Sequence, residues 1–208
     1  MDKKITNLIN NWQKRNIQGI YCKDKEAAAE KILEIVPKSD SVGLSGSVTL
    51  NALDIMNKIE ARGNKVFNQY LPGISRGESL EIRKQGTLAD HYLTSVNAIS
   101  EAGELVFFSA YGNRTAGISY GKNVIVVSGI NKITENLEQA LKRAREYVTP
   151  LNCKRLNWES ACFKDGVCHR EVCFSPEYKR MCCQVLIIEA EVTTDRLKVI
   201  LVGEELGF

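Results

Sequence analysis

The chain has 208 residues, of which 44% are apolar and 25% charged, and its net charge is +3. That composition suits a soluble globular protein with one full core, and so small a charge, with no Lys/Arg block interleaved with aromatics, gives no case for nucleic acid. The N-terminal apolar residues Ile5, Leu8, Ile9 and Trp12 have helical spacing broken by polar residues, which fits neither a signal peptide nor a membrane span. The expectation is a cytoplasmic protein whose seven cysteines are mostly reduced.

Residues 3 to 18 form an amphipathic helix by this spacing, and residues 24 to 36 a second one, opened by Asp24 and stopped before Pro37. Ser41 to Thr49, S-V-G-L-S-G-S-V-T, reads as a short buried strand (41 to 44), a glycine turn and the start of a helix running from 47 to 61. Gly46 lets the backbone approach a ligand, and free N–H groups at Gly46 and Ser47 favour an anion, with Thr49 beside them. An ordinary turn with Ser47 as N-cap accounts for the same residues. Lys65 to Phe67 begins a second strand, and strand, helix, strand in that order argues for a parallel sheet.

Residues 68 to 76 form a loop and 78 to 85 a charged helix. Ala89 to Leu93 is a strand that leaves through Thr94-Ser95-Val96-Asn97, and Glu101 precedes another apolar run at Leu105 to Phe108. The polar turn Tyr111-Gly112-Asn113-Arg114 opens a short helix bounded by Gly117 and Gly121. Asn123 to Val127 is a buried strand of almost unbroken Val and Ile, and Asn131 in its exit is expected to cap a long helix reaching Val148.

Three apolar strands thus leave through loops rich in Gly, Ser, Thr and Asn. In a parallel sheet those exits share one edge, where open α/β sheets bind ligands. Gly46, Ser47, Thr49, Asn97, Asn113, Arg114 and Asn131 are therefore candidate binding residues for a small anionic metabolite, with Arg114 as the clamp for a carboxylate or phosphate. Turn formation alone explains the same Asn, Ser and Gly residues. Glu101 is the candidate acid, base or nucleophile.

Beyond Pro150 the periodicity is lost. Residues 151 to 184 form an irregular, cysteine-rich insert, with Cys162-x5-Cys168-x4-Cys173-x8-Cys182-Cys183 around His169. Gathered thiolates suggest zinc or an iron–sulfur cluster, with Cys162, Cys168, Cys173 and Cys182 as ligands; the spacing contains no C-x2-C pair, and cysteines packed under a sheet are the alternative. Residues 185 to 208 are the C-terminal strands, with Val185 to Val192 and Leu197 to Val202 read as a β-hairpin or two neighbouring strands.

The run A-D-H-Y-L-T-S-V-N-A-I-S-E-A-G-E-L-V (Ala89 to Val106), Gly112-Asn113-Arg114, K-N-V-I-V-V-S-G-I-N-K-I (Lys122 to Ile133) and the ending V-I-L-V-G-E-E-L-G-F resemble the lactate-utilisation (LUD, formerly DUF162) domain over nearly the whole chain. The resemblance implies one α/β domain over 1 to 208, an open and mostly parallel sheet with helices on both faces, similar to the NagB/RpiA/CoA-transferase group. It also implies a bacterial enzyme or enzyme subunit of lactate or related hydroxy-acid metabolism, partnered by other subunits of a lactate-utilisation system or by a second copy in a homodimer. The alternative is a non-catalytic partner bearing a metal or iron–sulfur centre for electron transfer. Ser100-Glu101-Ala102-Gly103 resembles the Ser-Glu-Asn-Gly corner that carries the catalytic glutamate of CoA transferases, with Ala102 as the departure. The family pattern near the cysteines resembles Cys-x5-Cys-x2-Cys, and this chain carries two further residues between Cys168 and Cys173.

Overall fold

The structure, a computed structural model, describes residues 2–208. Helix α1 (Lys3–Lys14) starts where the Asp2 carboxylate accepts from the Lys4 N–H, and it buries Ile5, Leu8 and Trp12 along one face. It ends earlier than the expected residue 18, because Asn16 adopts a left-handed φ of 56° and β1 (Gln18–Cys22) begins. The periodicity did not reveal β1, an edge strand with four partly or fully exposed positions.

From there the elements run α2 (Lys25–Ile35), β2 (Val42–Leu44), α3 (Val48–Ala52), α4 (Ile55–Ala61), β3 (Val66–Phe67), α5 (Arg76–Gly86), β4 (His91–Ser95), β5 (Ala98–Ser100), β6 (Leu105–Ser109), α6 (Asn113–Tyr120), β7 (Val124–Gly129) and β8 (Ile133–Thr134). They are followed by α7 (Leu137–Lys142), a π-helical stretch (Arg143–Val148), α8 (Thr149–Arg155), β9 (Gln184–Ile188) and β10 (Leu197–Val202). Six strands form one parallel sheet in the order β1-β10-β7-β4-β2-β3. Both faces of this sheet are covered, so β7 is apolar at successive positions: Ile125 and Val127 pack with α2, α3 and α4, while Val124 and Val126 pack with α1 and α6.

A second sheet, β8-β5-β6-β9, was not anticipated. Its strand β6 turns Leu105 and Phe107 toward the first sheet and Val106 and Phe108 toward α7, so it is buried on both sides. The expected C-terminal hairpin is corrected by this arrangement. β9 pairs antiparallel with β6, and β10 enters the first sheet between β1 and β7. Two adjacent apolar runs look alike in sequence whether they pair together or with distant strands.

The long helix also differs from expectation. Asn136, not Asn131, caps it, its side chain accepting from the Gln139 N–H. Further along, Pro150 has no N–H to return to the carbonyl four residues earlier, and Thr149 Oγ1 donates to the Ala144 carbonyl at 2.8 Å, where the helix widens into its π-helical stretch.

Gly117 fixes the seat of α6. A Cβ there would stand 2.3 Å from Tyr92 Cζ, so the helix lies directly on that buried ring, whose hydroxyl donates to the Asn113 carbonyl at 3.0 Å. The irregular segment from 156 to 183 contains two short 3-10 turns, Ala161–Phe163 and Val172–Phe174. Among the described residues, no helix is long and apolar enough to cross a membrane.

Candidate functional site

In the sheet order β7-β4-β2 the three exits stand side by side, and a cavity of about 370 Å³ opens at their carboxyl ends. Ser45, just past β2, lines the cavity, and its Oγ lies 2.7 Å from Thr94 Oγ1 of the neighbouring β4. Gly46 carries the chain past this point with Tyr70 directly above it: a Cβ at residue 46 would sit 1.9 Å from the Tyr70 hydroxyl. The N–H groups of Gly46 and Ser47 make no hydrogen bond among the described residues. Ser47 Oγ accepts from the Leu50 N–H at 3.1 Å, so the residue is both N-cap and cavity wall.

Arg114, in the first turn of α6, spans the exits. Its guanidinium donates to the Gly46 carbonyl (2.8 Å), the Phe108 carbonyl (3.0 Å), Asn97 Oδ1 (3.3 Å) and Ser45 Oγ (3.4 Å). All four acceptors are neutral, and burial opposes the charge they orient. Asn97 Oδ1 also accepts from the Phe108 N–H at 2.9 Å, which fixes the amide. Its Nδ2 has no protein partner among the described residues, and Asn97 lines the cavity.

Lys132, just past β7, completes the floor. It is only 3% exposed, and its ammonium donates to Thr49 Oγ1 (2.8 Å), Ser95 Oγ (2.8 Å) and the Val96 carbonyl (3.2 Å). Among the described residues no carboxylate accompanies it. Burial, with repulsion from Arg143 and Arg114, pulls its pKa down to about 7. Arg143 stands behind this floor, donating to the Asn97 and Asn131 carbonyls at 2.8 and 3.1 Å.

Toward the mouth the walls are aromatic and basic. Tyr111 meets Trp158 edge to face at 5.7 Å, and the Arg83 guanidinium lies 5.0 Å from the Tyr111 ring centre. Arg155 is exposed there, anchored to Asn152 Oδ1. Among the described residues, no Asp or Glu side chain lines the cavity.

Of the sequence candidates, the fold gathers Gly46, Ser47, Thr49, Asn97, Asn113 and Arg114 around this cavity. Asn131 is not among its lining residues. Its amide accepts from the Leu206 N–H and donates to the Gly207 carbonyl, so it pins the C-terminal segment over the β7 exit. Glu101 also lies outside the lining. It sits in the turn between β5 and β6, paired with Lys4 at 3.2 Å and 43% exposed, while α1 grips the same turn through Asn11 and Trp12. Lys132 was missed because lysine is ordinarily a surface residue, and its one sequence signal was its place beside Asn131 in a strand exit.

Cys162, Cys168, Cys173 and Cys182 line a separate small cavity of about 10 Å³ together with His169, and all seven cysteines are free thiols. Arg145 Nε and Arg180 Nη1, on residues lining the same cavity, are buried without a partner. Among the described residues no three His, Cys, Asp or Glu side chains converge in ligating geometry.

A family model described as the LUD domain matches residues 5–202. The chain is similar to the crystal structure of a DUF162 family protein from Deinococcus radiodurans, with 13% identity, a TM-score of 0.51, and coverage of 96% of this chain and 94% of that one. Ribose 5-phosphate isomerase A from Methanocaldococcus jannaschii is 16% identical over 54% of this chain and 55% of that one, with a TM-score of 0.37. eIF2B delta from Chaetomium thermophilum is 15% identical over 66% and 57%, with a TM-score of 0.38. No curated protein matches the chain.

Proposed function

Because this chain belongs to the LUD domain family, we propose that it is an enzyme or enzyme subunit of lactate or related hydroxy-acid metabolism that binds a small organic anion at the strand exits. One observation carries the reading: among the described residues, Arg114 and Lys132 line the cavity without an acidic partner, and no Asp or Glu side chain joins them there. Buried cations held only by neutral acceptors are completed by an anion. Asn97 Nδ2 and the free N–H groups of Gly46 and Ser47 supply directional donors for its oxygens. Lys132, rather than Glu101, is then the titratable group beside the ligand, and near neutral pH it can give or take a proton.

The expected result of a thermal-shift series is stabilisation by lactate, pyruvate and glycerate and none by lactamide, which keeps the shape of lactate without its charge. Ligand at 100-fold its Kd adds about 2.7 kcal/mol. Equal shifts from lactate and lactamide would remove the anion from the reading.

The cysteine segment supports a second reading, a thiolate-bound zinc or iron–sulfur centre. What favours it is the shared cavity of Cys162, Cys168, Cys173 and Cys182 beside the unpartnered Arg145 and Arg180 nitrogens, since a metal held by four thiolates carries negative charge. The thiols must rotate to close on an ion, as none converge in the described geometry. Anaerobically purified full-length chain is expected to carry about one centre per molecule, lost in Cys168→Ser and Cys173→Ser. A metal-free chain that melts as a single sharp transition would end this reading.

A further inference from the structure

The cleft is larger than a three-carbon acid needs. A cavity of about 370 Å³ lies in the size class of clefts that bury drug-sized ligands, about 300–1,000 Å³, whereas lactate has about six non-hydrogen atoms. Besides apolar and aromatic side chains, the lining holds two further basic residues, Arg83 on α5 and Arg155 at the end of α8, in addition to the buried pair Arg114 and Lys132.

Neither member of that outer pair is neutralised. Arg83 makes no hydrogen bond or ion pair among the described residues, and its Nε is buried without an acceptor while the guanidinium rests against Tyr111. Arg155 bonds only the amide oxygen of Asn152, through Nε and Nη2, leaving Nη1 free. Its field is felt at Arg114, whose charge it disfavours. Two like-charged pairs in one cavity repel each other, and a ligand with one anionic group relieves only the inner pair.

We infer that the cleft's ligand is an organic acid with a second anionic group, of phosphate type, at its far end: the carboxylate on Arg114 and Lys132, the phosphate between Arg83 and Arg155. This rests on the organic-acid reading above and adds to it a substrate class, phosphorylated hydroxy acids. Arg83 presents a planar fork suited to two phosphate oxygens, and Tyr111 and Trp158 wall the space between the pairs.

The test is calorimetric titration of the full chain with glycerate and with phosphoglycerate, a matched pair that differs by the phosphate. Phosphoglycerate is expected to bind at least about tenfold more tightly, the effect of one charge-assisted contact. In Arg83→Gln and in Arg155→Gln that ratio falls toward unity. Trp158 emission should change with phosphoglycerate and more weakly with glycerate; Trp158→Phe removes the change, since Trp12, on the buried face of α1, is fully buried and outside the cavity lining. Glycerate binding with no advantage for the phosphate, or a ratio that survives both substitutions, overturns the outer subsite and leaves the organic-acid reading standing. If neither compound binds, both readings fall.

Discussion

Arg114→Ala is expected to abolish ligand-induced stabilisation by organic acids and to weaken the fold itself. The guanidinium joins four acceptors drawn from three segments, the β2 exit, the β4 exit and the end of β6. Removing it strands the Gly46 and Phe108 carbonyls at the cavity wall. Water can enter and satisfy part of that loss, so the expected destabilisation is about 2–4 kcal/mol. For a chain of this length that is a fall of roughly 5–15 °C in Tm. Arg114→Lys separates the two roles, because it retains a positive charge but not the planar fork that reaches all four acceptors. It should recover part of the anion response while remaining less stable than the wild type. A Tm series in which Arg114→Ala responds to lactate as the wild type does would exclude the clamp.

Lys132→Met should have the opposite effect on stability and the same effect on binding. In the unfolded chain the amine titrates near its ordinary value, well above the pKa of about 7 that it has in the folded protein. Between those two values the unfolded state holds more protons than the folded one, so the wild type gains stability as pH rises through this window. Below it the folded protein carries the whole penalty of a buried charge. Methionine removes that penalty, and Thr49 and Ser95 can still bond to one another, their hydroxyls being 3.1 Å apart. The variant is therefore expected to be the more stable protein at pH 7, with its advantage shrinking by roughly 1 kcal/mol per pH unit toward pH 10. Its affinity for organic acids should be low at every pH, whereas wild-type affinity declines above pH 7 as the amine loses its proton. Chemical denaturation of both proteins between pH 6 and 10 measures the first effect. An advantage that grows with pH would show that an acid faces the amine. A residue that weakens the fold while serving the ligand is the pattern expected of a functional group.

The gathering of Ser47, Asn97 and Arg114 could be anticipated because their strands announce themselves. Val42 to Leu44, which leads to Ser47, and Leu105 to Phe108, which leads to Arg114, are fully buried and read as apolar runs, and the strand that ends at Leu93 leads to Asn97. Asn131 was drawn into the same site by the same reasoning, since it too lies in a polar exit beside an apolar strand, and Glu101 by the likeness of its turn to the CoA-transferase corner. Their side chains are engaged elsewhere, Asn131 with the backbone of residues 206 and 207 and Glu101 with Lys4. Nothing local separates an amide that faces a cavity from one that ties down a neighbouring segment.

What the sequence determined by itself is the succession of buried strands, the polar chemistry at their exits and the clustering of thiols late in the chain, because side-chain periodicity and turn composition are local properties. Tertiary structure alone decided that β10 runs between β1 and β7 while β9 joins another sheet, that Lys132 is buried in the cavity floor, and that among the described residues the lining contains basic side chains but no Asp or Glu. Those outcomes depend on strand order and on which charges are left without partners after packing, and both are settled by contacts between residues far apart in the chain.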